Sequence, residues 1–377
     1  MSGSRWLCLL LTTVILIPSV AAADQRGPFR GDVGALGMGN TGVAVPGRGC
    51  LWIYNPAVLT TVDFELAIPS IDLGANGKTL ELFDYLDDQR GNFADWDNLS
   101  APEKTDVLDD GSDLFRKTLG FRTAPLVGFA QRNLGLALYA DTRADVVMVR
   151  NYPDPLDAAP AVNGFFHTDV VAQIGTAGIA LDPLSIGITV RYVNRRANRV
   201  TIDPNDLDEV LSTISEDPES YHGWGVDLGA YYPTGFWNLS VGASFRNLLG
   251  GIQVPAAPAT KSSDDEEKET DSFYRNLAVG ASWQPVPKVL LTADIEDLLN
   301  QVDDLEFGDQ IHVGAELDMM LLRLRTGMFR GSLTYGVGLS LLFFNIDFAT
   351  YVPGSDRPEL TEDEERVYVG QFKFGWQ

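Results

Sequence analysis

The sequence predicts an all-β fold, a transmembrane barrel of fourteen antiparallel strands of the bacterial outer-membrane type. Three observations carry that expectation. An export signal stands at the N-terminus, apolar and polar residues alternate with period two along most of the chain, and the connections between such runs are short and long in turn.

Arg5 gives the export signal a positive start, Trp6 to Ile17 form a twelve-residue apolar run, and Pro18 to Ala23 offer a small-residue cleavage site before Asp24. Residues 1–23 therefore read as a secretory signal peptide, too short to cross a bilayer as a helix. Cys8 lies inside the apolar run and not after a lipobox, which excludes a lipoprotein. Cleavage leaves Cys50 as the single cysteine, read as an apolar filler. Neither a disulfide scaffold nor a cysteine zinc site fits. No later run reaches about eighteen apolar residues, so no membrane helix is expected.

The period-two signal is clearest in 237–246. Trp237, Leu239, Val241, Ala243 and Phe245 share one face, and Asn238, Ser240, Gly242, Ser244 and Arg246 share the other. Residues 333–341 and 276–283 split the same way. Such alternation marks a strand with one apolar and one polar face. Fourteen runs qualify: 64–74, 123–131, 134–143, 164–180, 183–195, 222–233, 236–247, 272–283, 287–296, 308–317, 319–328, 332–342, 343–352 and 366–376. A soluble β-sandwich is disfavoured, because the polar faces are rich in Gly, Ser, Thr and Asn where a core would hold larger apolar groups.

Connections near 131–134, 180–183, 233–236, 283–287, 317–319 and 342–343 are short, with turn formers such as Asp182-Pro183 and Pro233-Thr234-Gly235. Those at 75–122, 144–163, 196–221, 248–271, 297–307 and 353–365 are long, and only Phe329-Arg330-Gly331 breaks the rule. Outer-membrane barrels have this asymmetry, with short periplasmic turns and longer extracellular loops on an even strand count. Closure also leaves no unpaired edge in lipid.

Charge follows the same division. The chain carries 28 Lys+Arg against 52 Asp+Glu, a net −24. Segments 84–110, 203–219, 264–271, 294–309 and 356–366 hold 35 of the acids and 5 of the bases, a net −30 that leaves +6 for the remainder. The acid is concentrated in the expected outer loops, as solvated surface without a calcium-loop spacing. Nucleic acid is a poor partner for such a chain, since that affinity rests on Lys and Arg at phosphates. Phe236, Trp237, Phe245, Trp283, Tyr351 and Trp376 suit the aromatic girdles at the two interfaces.

Gly37-Met38-Gly39-Asn40-Thr41-Gly42 fits a dinucleotide-binding fingerprint by spelling alone. No strand precedes it and no helical period follows, so the glycines are read as permitting close backbone packing. Three histidines and no serine elbow offer no enzyme chemistry. His312, Glu316 and Asp318 share a strand face, but one His with carboxylates is a weak metal signal, and neither metal nor cofactor is expected. His167 and His222 show no partner spacing.

The stretch from Ala35 to Val45, with its three glycines, followed by Tyr54-Asn55-Pro56-Ala57-Val58-Leu59, resembles the N-terminus of the FadL-like outer-membrane barrels. That superfamily holds fatty acid and hydrocarbon transporters together with PorV/PorQ-type and TraF-like proteins. The resemblance implies that residues 24–62 fold inward as a hatch within a barrel formed by 63–377. Asn55, Pro56 and Ala57 would form the hatch and Gly37, Gly39 and Gly42 its packing turns, while Cys50, Leu51, Trp52 and Ile53 would line an apolar pocket. It further implies passive uptake of a small hydrophobic compound, leaving sideways through the wall. The PorV- and TraF-like branches imply a different role, in protein secretion or envelope assembly. The partners implied are outer-membrane lipids, a hydrophobic small molecule, and an envelope or secreted protein.

With apolar faces toward lipid, the opposite faces line the lumen. Arg191, Arg195, Asp227, Arg246, Asp294, Glu296, His312, Glu316, Asp318, Arg323, Arg325, Asp347 and Lys373 fall there. Glu316 and Asp318 precede a tight turn and Arg323 and Arg325 follow it, so these four are expected to pair across it as structural ion pairs.

Overall fold

The computed structural model describes residues 31–117, 119–150, 156, 159–202, 220–255, 268–301, 306–352 and 366–376. The expected signal peptide of 1–23 and the segments 203–219, 256–267 and 353–365, with the acid they carry, lie outside them. Alternating burial runs through the strands, as in Ser220–Pro233, where every second side chain is buried. Inward positions are polar or small and outward ones apolar, the inverse of a soluble barrel.

Sixteen strand segments form one sheet. Two pairs of segments each share one place in the wall, giving fourteen staves. In chain order these are β1 (Phe64–Asn76), β2 (Leu119–Thr123 and Leu126–Gln131), β3 (Leu134–Val149), β4 (Ala161–Leu181), β5 (Leu184–Ile202), β6 (Ser220–Pro233) and β7 (Leu239–Pro255). There follow β8 (Lys268–Ser272 and Asn276–Val286), β9 (Val289–Ile295), β10 (Ile311–Met319), β11 (Leu322–Phe329), β12 (Ser332–Leu341), β13 (Phe344–Tyr351) and β14 (Val367–Trp376). Each pairs antiparallel with its neighbours, and β1 closes on β14 through registers such as Ile71 with Phe372.

The wall is uneven in height. Staves β3 to β7 have 16, 21, 19, 14 and 17 residues. Staves β9 to β14 have 7, 9, 8, 10, 8 and 10. About nine to eleven residues of tilted strand cross a bilayer, so the tall staves continue well beyond it. On β5 and β6 the outward apolar run ends at the cross-strand pair Tyr192 and Trp224, and Asn194 and His222 follow. That aromatic pair marks the outer boundary of the lipid-facing belt.

Short turns hold one end. Arg330-Gly331, the short connection on the long-loop side, closes as a two-residue hairpin with φ of 46° and 71° at its two residues, the backbone a right-twisted hairpin prefers. Phe236 and Trp237 are strongly exposed at the opposite rim, and Trp283 faces outward. Tyr351 departs from the girdle expectation. It points inward and is buried with Val33, Leu36 and Phe329, because it falls in the inward phase of Asn345, Asp347 and Ala349.

The connection of 75–122 proves to be a helical cap. It holds α2 (Thr79–Asp88), α3 (Arg90–Ala94) and α4 (Ala101–Asp110), numbered after the one-turn helix α1 (Val33–Leu36). Leu82, Tyr85 and Leu86 give α2 an apolar stripe at helical spacing. With Phe93, Trp96, Val107 and Leu108 they cover the outer ends of β2 to β4 at Leu119, Met148 and Val162. The Tyr85 hydroxyl donates to the Val107 carbonyl at 2.9 Å. Burial, with Asp110 nearby, pushes its pKa up to about 12.

A candidate lumenal site

Residues 31–62 occupy the lumen as a chain of short turns. Asp32 starts α1 by accepting the Ala35 N–H at 3.0 Å. Asn55 caps the turn Pro56–Thr61 in the same way, with Pro56 at its first position. Two 3₁₀ turns, Gly49–Ile53 and Pro56–Thr61, complete the segment, which is buried along most of its length.

The three glycines of the fingerprint-like stretch make the closest approaches. A methyl group on Gly37 would stand 2.9 Å from the Gly336 Cα, and one on Gly42 would stand 2.8 Å from the Tyr54 ring. Gly39 has φ of +68° and lies against the carbonyls of Val313 and Met328, so it meets both a conformational and a steric demand for glycine. The wall reciprocates. Trp52 lies flat over Gly135 of β3 and Gly175 of β4, Pro56 and Ala57 abut Gly187 of β5, and Asn55 abuts Gly229 of β6.

Polar contacts hold the other side. Asp294 of β9 accepts the Gly42 and Val43 N–H groups at 2.7 and 3.0 Å. Thr41 meets Thr292 at 2.5 Å, Thr334 of β12 accepts from the Gly39 N–H at 2.9 Å, and Ser282 of β8 donates to the Ala44 carbonyl at 2.7 Å. Asn55 donates to Val43 O at 2.7 Å and to Ala230 O of β6 at 2.9 Å, joining the two halves of the segment to the wall. Thr292, Thr334 and Ser282 were missed as site residues. The signal was their inward phase on alternating strands, with nothing to show that the chain's own N-terminus would fill their hydrogen bonds.

The inward charges pair with one another. Arg325 donates to Glu316 at 2.7 Å and also contacts Asp347, while Arg323 lies 3.5 Å from Asp318. Arg48 of the lumenal segment adds a second cation to Glu316. Arg195 holds Asp169 through two bonds of 2.7 Å, Arg191 contacts Asp227 and Asn247, Arg246 reaches Glu296 at 3.1 Å, and Lys373 donates to Glu65 at 2.8 Å. His312 stands apart from Glu316 and Asp318, with its ring edge-on to Phe329 at 4.8 Å. Among the described residues no group of three or more His, Cys, Asp or Glu side chains is placed to hold a metal.

Two hollows flank the wall at β1 to β3. An interior cavity of about 30 Å³ lies between Trp52, Ile53 and the inward residues Ala67, Leu126, Ala130 and Ala137 on one side and Asp32, Glu65, Ser70, Gln371 and Lys373 on the other. On the lipid side a groove of about 470 Å³ runs over Leu66, Val127, Leu136, Leu138 and Ile174. Gly128, Phe129 and Ala137 border both. The ladders are disturbed beside them: β1 shifts register between Ala67 and Ser70 against both neighbours, where Pro69 brings no N–H. β2 breaks at Ala124-Pro125.

No protein-family profile matches the sequence, and no curated protein does. Solved structures do match. The toluene transporter TbuX of Ralstonia pickettii is 13% identical, with 91% of this chain and 98% of that one covered at a TM-score of 0.50. A deletion mutant of TodX, described as a monoaromatic hydrocarbon channel, is 12% identical with 90% and 97% covered at 0.54. CymD, likewise a monoaromatic hydrocarbon channel, is 11% identical with 91% and 96% covered at 0.50. These neighbours are channels and not enzymes. At such identities it is the architecture that is shared, and this chain has the fold of the FadL-like outer-membrane β-barrels.

Proposed function

We propose that the protein passes small hydrophobic compounds across the outer membrane by passive uptake, with residues 24–62 as the hatch. The observation that carries this reading is the small cavity behind Trp52 and Ile53, which Gly128, Phe129 and Ala137 of the wall share with the lipid-facing groove. A hydrophobic compound gains free energy on leaving water for either hollow. A route that ends sideways in lipid would never expose it to water again. The cavity of about 30 Å³ holds one water and no ring, so transport requires the hatch to shift.

The test is a hatch that can be locked. In a background with Cys50→Ser, the pair Thr60→Cys and Ser185→Cys places a disulfide where the two hydroxyls now meet, on the half of the segment that rests against β5. Uptake of radiolabelled toluene into proteoliposomes should stop on oxidation and return on reduction. Equal flux in the locked and reduced states would refute hatch-gated uptake. A second reading, a PorV- or TraF-like role in secretion or envelope assembly, is favoured by the same small cavity, since a segment packed this closely behind the wall suits a scaffold. A stoichiometric protein partner in gentle detergent extracts, with no toluene flux, would select it.

A further inference from the structure

Beyond the aromatic rung of Tyr192 and Trp224, the outward face of the tall wall turns polar in two steps. Asn194 of β5 pairs with His222 of β6 on the first rung, and Arg196 pairs with Ser220 on the second. A strand tilted as in outer-membrane barrels climbs about 2.5 Å per residue. His222 and Arg196 therefore stand about 5 and 10 Å past the aromatic pair, across the polar headgroup layer of a bilayer.

The side chains there are held in place, and their hydrogen-bonding capacity is unspent. The His222 ring stacks on Tyr192, with centroids 6.0 Å apart and 19° between the planes. Its Nδ1 lies 2.7 Å from the Tyr192 hydroxyl and 3.0 Å from Asn194 Nδ2. An amide nitrogen only donates, so Nδ1 accepts and the ring proton sits on Nε2. Arg196 is exposed, and among the described residues it has neither an ion pair nor a hydrogen bond. The inward arginines of the same stave behave otherwise: Arg191 is held by Asp227 and Arg195 by Asp169.

Arg196 lies directly across from Ser220 and diagonally from His222, at about 5 Å and 7–8 Å between Cβ atoms. The three together offer a planar guanidinium fork, an imidazole N–H and a hydroxyl, with no carboxylate among them. A phosphate has the charge for the fork and three acceptor oxygens for the donors. Depth decides what carries it. Beneath the site the outward face is apolar through Val190, Ile188 and Ile186 of β5 and Ile174 of β4, which suits acyl chains. We infer that Arg196, Ser220 and His222 hold the phosphate of an anionic lipid headgroup, whose acyl chains lie on that apolar face. The site is separate from the lumen and does not depend on the uptake reading.

The probes are diphosphoryl lipid A and the same lipid stripped of its phosphates, titrated into the full-length protein in detergent and read by native mass spectrometry. The unaltered protein should retain the phosphorylated lipid at least about five-fold more tightly, the scale of one base beside a charged headgroup. Arg196→Gln combined with His222→Gln should erase that preference and leave the stripped lipid unchanged. Arg132→Gln, at an exposed base on the short-turn rim, should keep it. A large excess of inorganic phosphate should not displace the lipid. Equal retention of the two lipids by the unaltered protein overturns the assignment. So does an equal loss in Arg132→Gln, which would mean unspecific attraction of charge, and so does displacement by phosphate, which would mean a site for the free ion. Because the first comparison uses the unaltered protein, a variant that failed to fold would not protect the inference.

Discussion

The lumenal segment meets two unlike walls. On the short wall, β9 to β12, and the neighbouring β8, its first half is fixed by directional bonds: Asp294, Thr292, Thr334 and Ser282 all engage its backbone or Thr41, and Glu316 engages Arg48. On the tall wall, β3 to β6, its second half rests on flat glycines through Trp52, Pro56 and Ala57, with few polar links beyond Asn55 to Ala230 and Thr60 to Ser185. Directional bonds between buried groups are costly to break, whereas an apolar slab on glycine exchanges one set of weak contacts for another. The half that faces the cavity and groove is the slab. The difference teaches how the proposed hatch would be anchored and movable at once, with the two properties belonging to different walls.

The sharpest way to break that comparison is to remove the anchor. Asp294→Ala strands the Gly42 and Val43 N–H groups in the lumen, at about 2–6 kcal/mol for two unsatisfied donors. The thermal midpoint in detergent should drop by more than for any single change on the tall wall, and protease should then reach the lumenal segment. A midpoint within error of the unaltered protein would mean the anchor is not where the bonds are.

The slab is tested from the opposite wall. Adding a methyl at Gly175 places it 2.7 Å from the Trp52 ring. Overpacking of this kind costs about 1–3 kcal/mol, and it should push the slab off its seat. Gly175→Ala is therefore expected to raise ion conductance through single barrels in planar bilayers. Gly336→Ala on the short wall, 3.0 Å from the Gly37 Cα, should lower stability without opening a path. Equal conductance of the two variants would contradict the division of labour.

The walls also differ at the short-turn rim. Leu342 is 93% exposed and Met320 80%, beside Leu321 and Phe343, on strands of only eight to ten residues. The tall wall turns on Arg132-Asn133 and Asp182-Pro183. Apolar turns extend the belt where the strands are too short to fill it, so they belong in the lipid interface. In a Cys50→Ser background, Leu342→Cys should resist a membrane-impermeant maleimide in proteoliposomes while Asn133→Cys reacts, a difference of about ten-fold in rate or more for a thiol held out of water. Comparable labelling would place both rims in water.

Much of this is legible in the sequence. Period-two alternation gives the strands because lipid outside and polar residues inside leave an uninterrupted binary code, and every stave overlaps an expected run. Heights were not legible: the tall staves run past the bilayer, where outward residues turn polar and alternation fades, so β4 and β5 looked shorter than they are. The helical cap was hidden by its acid. Leu82, Tyr85 and Leu86 have helical spacing, but a loop assignment absorbed them. Of the site, the inward charges could be read from phase, because partners such as Glu316 and Arg325 sit either side of one turn. The contacts of Thr334 with Gly37 and Gly39 could not, since nearly three hundred residues separate them.

The cap itself, seated over the outer ends of β2 to β4, should respond to acid before the barrel does. Glu103 accepts from the Ser100 N–H at 2.8 Å and from its hydroxyl at 2.6 Å, closing the start of α4. The Ser100 hydroxyl and N–H hold the Glu103 carboxyl below its usual range. A carboxylate whose pKa is depressed on folding adds stability above its unfolded pKa and loses that contribution as pH falls through the folded value. Hydrogen exchange of the first amides of α4 should therefore accelerate as pH drops below the ordinary carboxylate range, after correction for the intrinsic rate. Glu103→Gln, which keeps an acceptor and loses the charge, should flatten that dependence. The exchange of β9 to β12, whose ladders are closed in lipid, should stay unmoved over the same interval. An equal acceleration in both regions would show that cap and barrel open together, and the tall wall would then be no more than an extension of the short one.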